Sequence, residues 1–299
     1  MSMITDSMAK PIQLISVCIC TYRRPGLLEQ LLKKLDQQAT KGLFKFSIAV
    51  VDNDARQSAR STVEWCAARL SVPIAYRVEP QQNIAVARNA SVAMATGELV
   101  AFIDDDEEPL GDWLCTLYEA LLEYRADGVL GPVIPKFEES APAWAVKGQV
   151  FQRPGFKTGT VIHWSISGTG NVLLKREVLR ELDGPFNPQL GTGGEDTDLF
   201  RRAMAQRRVF VWSAEAVCHE RVPPERTRVS FQLRRALLRG KIALRGHRAD
   251  WRGILKSAVA VPLYAAVLPL CLAMGSHVFV TYLVKTCDPI ARHSGRTAA

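Results

Sequence analysis

The chain has seven cysteines in 299 residues but no Cys-x-x-Cys pair. A scattered, odd set without that spacing argues against a zinc site. It fits reduced core thiols in a cytosolic protein. No internal repeat and no low-complexity tract is present. The stretch Met1–Pro11 holds one lysine, one aspartate and no long apolar core, so it does not read as a secretory signal. The largest absence is of charge. From Ser257 to Val284 there is no Asp, Glu, Lys or Arg. Roughly 20 apolar residues suffice to span a bilayer, but Pro262, Pro269, Gly275, Ser276 and His277 interrupt the run. A single span, a bent or interfacial helix pair, and a buried soluble pair all remain open.

Hydrophobic residues make up 47% of the chain and charged residues 23%, a globular composition with enough length for one large or two small domains. The net charge of +8 suits an anionic partner: nucleotide, nucleic acid or anionic lipid. That charge is concentrated. Between Glu225 and Lys256 there are ten Lys or Arg against two acids, interleaved with Leu233, Leu237, Leu238, Ile242 and Leu244. This pattern predicts a basic amphipathic helix on an anionic membrane surface, with residue 256 on the cytoplasmic side. The chain divides into residues 1–222 and a basic, then hydrophobic, region 223–299.

Strand and helix patterns alternate through the first part. Ile12–Cys20, Phe44–Val51, Ile74–Val78 and Val100–Ile103 are short, β-branched runs. Leu27, Leu28, Leu31, Leu32 and Leu35 recur at helical spacing after Pro25. Helices are also expected around Ser61–Arg69 and Trp113–Tyr124, with Trp113 in the core, and Val129–Ile134 reads as one further strand. Alternation of this kind predicts parallel βαβ units with ligands outside the carboxyl ends of the strands. Residues 137–157, rich in Pro, Gly and aromatics, read as an irregular stretch over the site.

The strand ends are polar: Thr21, Asp52, and the run Asp104-Asp-Asp-Glu-Glu108. Carboxylates this close repel unless a cation joins them, and their oxygens are ligands for Mg²⁺ or Mn²⁺. A solvated acidic turn is the plain alternative. Arg88 offers donors to an acid or phosphate, as a structural salt bridge, a ligand contact or both. Gly191, Gly193 and Gly194 lead into Glu195-Asp196, where a carboxylate serves as a helix cap or as a general base. His219 follows a strand-like segment and stands within possible reach of a metal.

Five motifs in order, Val17-Cys-Ile-Cys-Thr-Tyr-Arg-Arg-Pro25, Val51-Asp-Asn53, Asn83-Ile-Ala-Val-Ala-Arg-Asn89, Phe102-Ile-Asp-Asp-Asp106 and Gly194-Glu-Asp-Thr-Asp198, resemble family 2 glycosyltransferases. The phrases IDDDEEP, GPVIP and GGEDTDLF look most like the succinoglycan-type exopolysaccharide glucosyltransferases. The resemblance implies a GT-A fold, a Rossmann-like mixed sheet flanked by helices, over about residues 12–220. It implies an inverting transfer of one sugar from a nucleotide-diphosphate sugar, most often UDP-linked, with Mg²⁺ or Mn²⁺. By that analogy Thr21, Arg23, Asp52, Arg88, Asp104, Asp105 and Glu195 bind the nucleotide-sugar. Asp106 and His219 hold the metal, and Asp196 is the base. Two departures stand out: Val-Asp-Asn replaces Val-Asp-Asp, and Gln232-Leu-Arg-Arg-Ala236 has Ala236 where processive synthases carry Trp. The expected partners are a lipid-linked saccharide acceptor and the inner membrane's cytoplasmic face, with no nucleic acid. A nucleotidyltransferase and a non-catalytic membrane adaptor are the alternatives. The first lacks a basic, glycine-rich loop after the first strand. Retention of Asp52, Asp106 and Asp196 together argues against the second.

Overall fold

The computed structural model describes residues 12–148, 150–236 and 251–287. A seven-stranded sheet runs β3-β2-β1-β4-β8-β6-β9, from β1 (Gln13–Thr21), β2 (Phe44–Asp52), β3 (Ile74–Val78), β4 (Leu99–Ile103), β6 (Gly128–Leu130), β8 (Asn171–Lys175) and β9 (Phe210–Trp212). The strands β3, β2, β1 and β4 are mutually parallel, and β8 lies antiparallel to both β4 and β6. A second sheet orders β5 (Glu107–Pro109), β10 (Cys218–Val222) and β7 (Val133–Phe137).

Side-chain alternation on β1 splits the core in two. Ile15, Val17 and Ile19 face the layer of α1 (Pro25–Asp36), α2 (Arg60–Ala67) and α4 (Trp113–Glu123). Cys18 faces the other layer, with α6 (Arg176–Arg180) and α7 (Glu195–Ala205), and its thiol donates to the Ser91 carbonyl of α3 (Ile84–Met94). The leucine stripe of α1 is fully buried at Leu28, Leu31, Leu32 and Leu35. Trp113 is core, as its setting predicted, and its Nε1 donates to Asn171 Oδ1 at 2.8 Å.

The order 3-2-1-4 is what places the site. The chain steps outward from β1 to β3, then α3 carries it back to the opposite side of β1, opening a crevice between the carboxyl ends of β1 and β4. Ala85, Ala87 and Ala90 let α3 lie close on the sheet, and Asn83 Oδ1 caps it by accepting from the Ala85 and Val86 amides.

Val129–Ile134 is not one strand. The chain leaves the large sheet at Gly131-Pro132 and enters the small sheet as β7, with Asn171 Nδ2 donating to the Pro132 and Ala216 carbonyls at the crossing. Within 137–157 the end of β7 is followed by a helix, α5 (Ala143–Lys147). The expected basic helix is described only over residues 229–236 (α8); its continuation through 237–250 lies outside the described residues, as does Met1–Pro11. The charge-free run forms a hairpin, α9 (Trp251–Ala273) and α10 (Ser276–Cys287), turning at Gly275 with φ +120°. The two helices meet through Tyr264 and Tyr282, edge to face at 5.9 Å. Val280 and Val284 of α10 pack with Ala236 and Trp144. Among the described residues no helix is long and apolar enough to cross a membrane.

Candidate active site

A cleft of about 700 Å³ opens at the ends of β1 and β4. The strand β4 is wholly buried, and its last residue, Ile103, delivers the acidic run to the cleft. Glu107 closes the turn by accepting from the Asp104 amide at 3.1 Å through Oε2. Thr21 Oγ1 donates to Asp105 Oδ2 at 2.7 Å. Arg24 Nη1 reaches both Asp105 Oδ1 and Asp106 Oδ2 at 3.0 Å. From α3, Arg88 links Asp104 Oδ1, at 3.2 Å, to Glu195. Arg226, in the turn after β10, donates to Asp106 Oδ2 at 3.1 Å and to Glu220 Oε1 at 2.5 Å. Arg153 Nη2 holds the other Glu220 oxygen at 2.6 Å.

Burial raises the proton affinity of several of these acids. It pushes Asp105 up to about 6, against the pull of Arg24 and Thr21. Asp106 is raised by burial and by Asp104, with Arg226 and Arg24 opposing. Glu107 is raised well above the carboxylate range by full burial and the nearby Asp104 charge. Burial pushes Glu195 up to about 7 while Arg88 pulls it down. Glu107 Oε1 and Glu195 Oε2 are both buried without a hydrogen-bond partner.

Thr21, Arg88, Asp104, Asp105 and Asp106 line the cleft together. Glu195 stands behind it on Arg88. Asp196 lies beside it, in the first turn of α7. The turn is entered through Gly194 at φ +92°, a conformation that strains any side-chain-bearing residue. Asp196 Oδ1 accepts from the Thr197 amide at 2.7 Å, and a methyl group at Gly168 would stand 3.5 Å from Oδ2.

Three expected positions fall elsewhere. Asp52 is fully buried, with Oδ1 accepting from the Asp54 amide and Oδ2 from the Ala59 amide and the Tyr76 hydroxyl. It ties β2 to the start of α2, and Asn53 lines the cleft instead. Arg23, at φ +55°, turns outward to Asp54 at 3.1 Å, so its neighbour Arg24 enters the cleft. His219 does not line the cleft with Asp106. On β10 successive side chains alternate, and Glu220 takes the cleft side while His219 faces the other way. The cleft also holds Arg24 and Asn83, which the motifs include without a site role, and Arg153, Glu220 and Arg226, which the sequence does not single out. The Pro223-Pro224 pair, marking a turn beyond a strand, was the available signal for Arg226.

A hard divalent cation fits this donor set. Among the described residues no three His, Cys, Asp or Glu side chains form a protein-only metal cage. Asp106 and the half-exposed Asp104 instead offer carboxylate oxygens in an open cleft, the sparse protein shell that a Mg²⁺-type ion completes with phosphates.

The mixed sheet with flanking helices and an acidic cluster at its switch point is like that of the GT-A glycosyltransferases. The glycosyl transferase family 2 model matches residues 16–183, and the chain belongs to that family. It is 35% identical over 234 residues to the succinoglycan biosynthesis protein ExoM of Rhizobium meliloti, covering 76% of this chain and 73% of ExoM. The mannosyltransferase PcManGT of Pyrobaculum calidifontis, solved with GDP-Man and Mn²⁺, superposes with a TM-score of 0.62 at 19% identity, covering 92% of this chain and 86% of that one. The S. aureus TarS fragment 1–349 in complex with UDP gives 0.56 at 16% identity, covering 93% and 88%. The chain spans 55% of the longer TarS structure.

Proposed function

We propose that this enzyme transfers one sugar, with inversion, from a UDP-hexose to a lipid-linked saccharide acceptor in exopolysaccharide synthesis, at the cytoplasmic face of the inner membrane. The observation that carries the reading is the meeting of Asp104–Asp106, Arg88 and the Glu195-Asp196 turn at one crevice. Asp196 takes the proton from the acceptor hydroxyl. The freed oxygen attacks the anomeric carbon, and the bond from that carbon to the diphosphate breaks on the opposite side. Arg88 and Glu195 fix the floor of the crevice. Mg²⁺ or Mn²⁺, held by Asp106 with Asp104, would neutralise charge on the departing diphosphate.

ExoM's role in succinoglycan biosynthesis supports the exopolysaccharide setting, and the UDP-bound TarS fragment supports the donor class. Ala236 supports single addition. It stands where processive synthases carry tryptophan and is fully buried in a cluster with Val280 and Val284. The hairpin's exposed leucines and the basic run before it support the membrane setting.

Asp196→Asn tests the base. General-base help is worth about 10²–10⁴ in rate, so transfer should fall by that factor while UDP affinity stays within a few-fold. The cap of α7 is Gly194, so Asp196 is not a capping residue, and asparagine keeps its shape and its bond to the Thr197 amide without the proton acceptor. Undiminished transfer would therefore leave Asp196 a structural residue of the first turn and send the search for a base to Glu195 or Asp198.

A further inference from the structure

Arg226 and Asp106 form the least expected pair in the cleft. The Asp106 carboxylate is 9% exposed, and its Oδ2 takes donors from two guanidiniums, Arg24 and Arg226. Arg226 comes from outside the large sheet, on the turn Pro224–Thr227. That turn is pinned by Thr227 Oγ1 donating to the Pro224 carbonyl at 2.8 Å and by Gln232 Nε2 donating to the Arg226 carbonyl at 2.7 Å. Its side chain is 18% exposed and divided between Asp106 and Glu220, and Glu220 in turn holds Arg153. A dication on Asp106 must therefore stand beside two guanidiniums, and one that takes Oδ2 displaces Arg226 or Arg24. Displacement alone leaves a half-buried charge short of a partner beside a new positive charge, which is costly in a poorly solvated site. A diphosphate arriving with the cation removes that cost, because it offers Arg226 and Arg153 oxygens in the bidentate geometry guanidinium prefers.

We infer that Arg226 is an exchangeable counter-ion for Asp106, a positioning residue that makes cation and nucleotide bind as one unit. The inference rests on the proposed donor site. Arg226 occupies the carboxylate while the cleft is empty and passes to the diphosphate when the donor–cation pair enters. Coupling between two ligands is reciprocal, so the same exchange disfavours nucleotide without metal.

Mn²⁺ binding to the full-length protein, followed by the EPR signal of free Mn²⁺ with and without UDP, reads this directly. In the wild type UDP should tighten Mn²⁺ at least tenfold. Arg226→Ala should bind Mn²⁺ alone several-fold more tightly than the wild type, with the UDP effect reduced to about threefold or less. Arg226→Lys, which keeps a cation near Asp106, should retain weak Mn²⁺ binding in the absence of UDP and separates the charge effect from misfolding. An Arg226→Ala protein that binds Mn²⁺ alone no more tightly, or keeps the tenfold coupling, overturns the exchange. Absence of Mn²⁺ binding by the wild type in both conditions would overturn the donor-site reading as well.

Discussion

The helices α1 and α9 are both leucine-rich, and they treat their leucines in opposite ways. In α1, Leu28, Leu31, Leu32 and Leu35 are at most 1% exposed. In α9, Leu263, Leu270 and Leu272 are 60–64% exposed, and Met274 just beyond is 63%. The difference lies in patterning. In α1 lysines and glutamate alternate with the leucines, so one face is apolar and the sheet covers it. Residues 262–274 have no polar face to separate from an apolar one, and only part of the helix meets α10. The catalytic sheet supplies its own cover; among the described residues nothing covers these leucines of the hairpin. The two regions differ equally in charge. The domain buries Arg88, Asp105, Glu107 and Glu195, whereas the hairpin sequence 251–287 has no Asp or Glu and its Lys and Arg, Arg252, Lys256 and Lys285, stand only toward its two ends.

Leu32→Ala gives the largest contrast. Emptying a fully buried leucine site costs about 2–5 kcal/mol, so the urea midpoint of the domain should drop sharply. A change within experimental scatter would mean that the α1 face is not core. Next in size is the pH dependence. Asp105 and Glu195 have folded values raised to about 6 and about 7. Stability from such groups is complete below their unfolded values near 4 and is lost as pH rises through the folded ones. Denaturation midpoints should therefore decline from pH 4.5 to 7.5, and Glu195→Gln should flatten the decline. An unchanged slope would assign it to other groups. Smallest in stability is Leu270→Ala, expected within about 0.5 kcal/mol of the wild type because the side chain touches little. The same variant should weaken retention on anionic liposomes. Full retention there would break the contrast between the two helices.

Most of the fold was legible, and for a reason. The edge strand β3 falls at its expected bounds through its apolar–polar alternation, and β1 within one residue, because a buried parallel strand writes itself as a short apolar run. The site was legible where it sits at such strand ends, as with Thr21 and Asp104–Asp106. It was illegible where one residue of phase decides the outcome. Asp52 against Asn53, Arg23 against Arg24 and His219 against Glu220 are adjacent pairs in which the neighbour reaches the cleft. Alternation on a strand requires a known register, and β10 finds its register only by pairing with β5 and β7, more than 80 residues away in sequence. Arg153 and Arg226 depend on the same distant sheet.

The crowded pairing in the cleft has a consequence for how a donor arrives. Asp104, Asp105, Asp106 and Glu220 nearly balance Arg24, Arg88, Arg153, Arg226 and Arg235 within the same lining. Seen from several ångströms out, such a surface projects little field, and the ion atmosphere has little to screen. Under the proposed function, a nucleotide-sugar would gain little long-range pull from this lining itself, whatever the +8 charge of the whole chain contributes, and would be recognised on contact, as its phosphates exchange for carboxylates already in place.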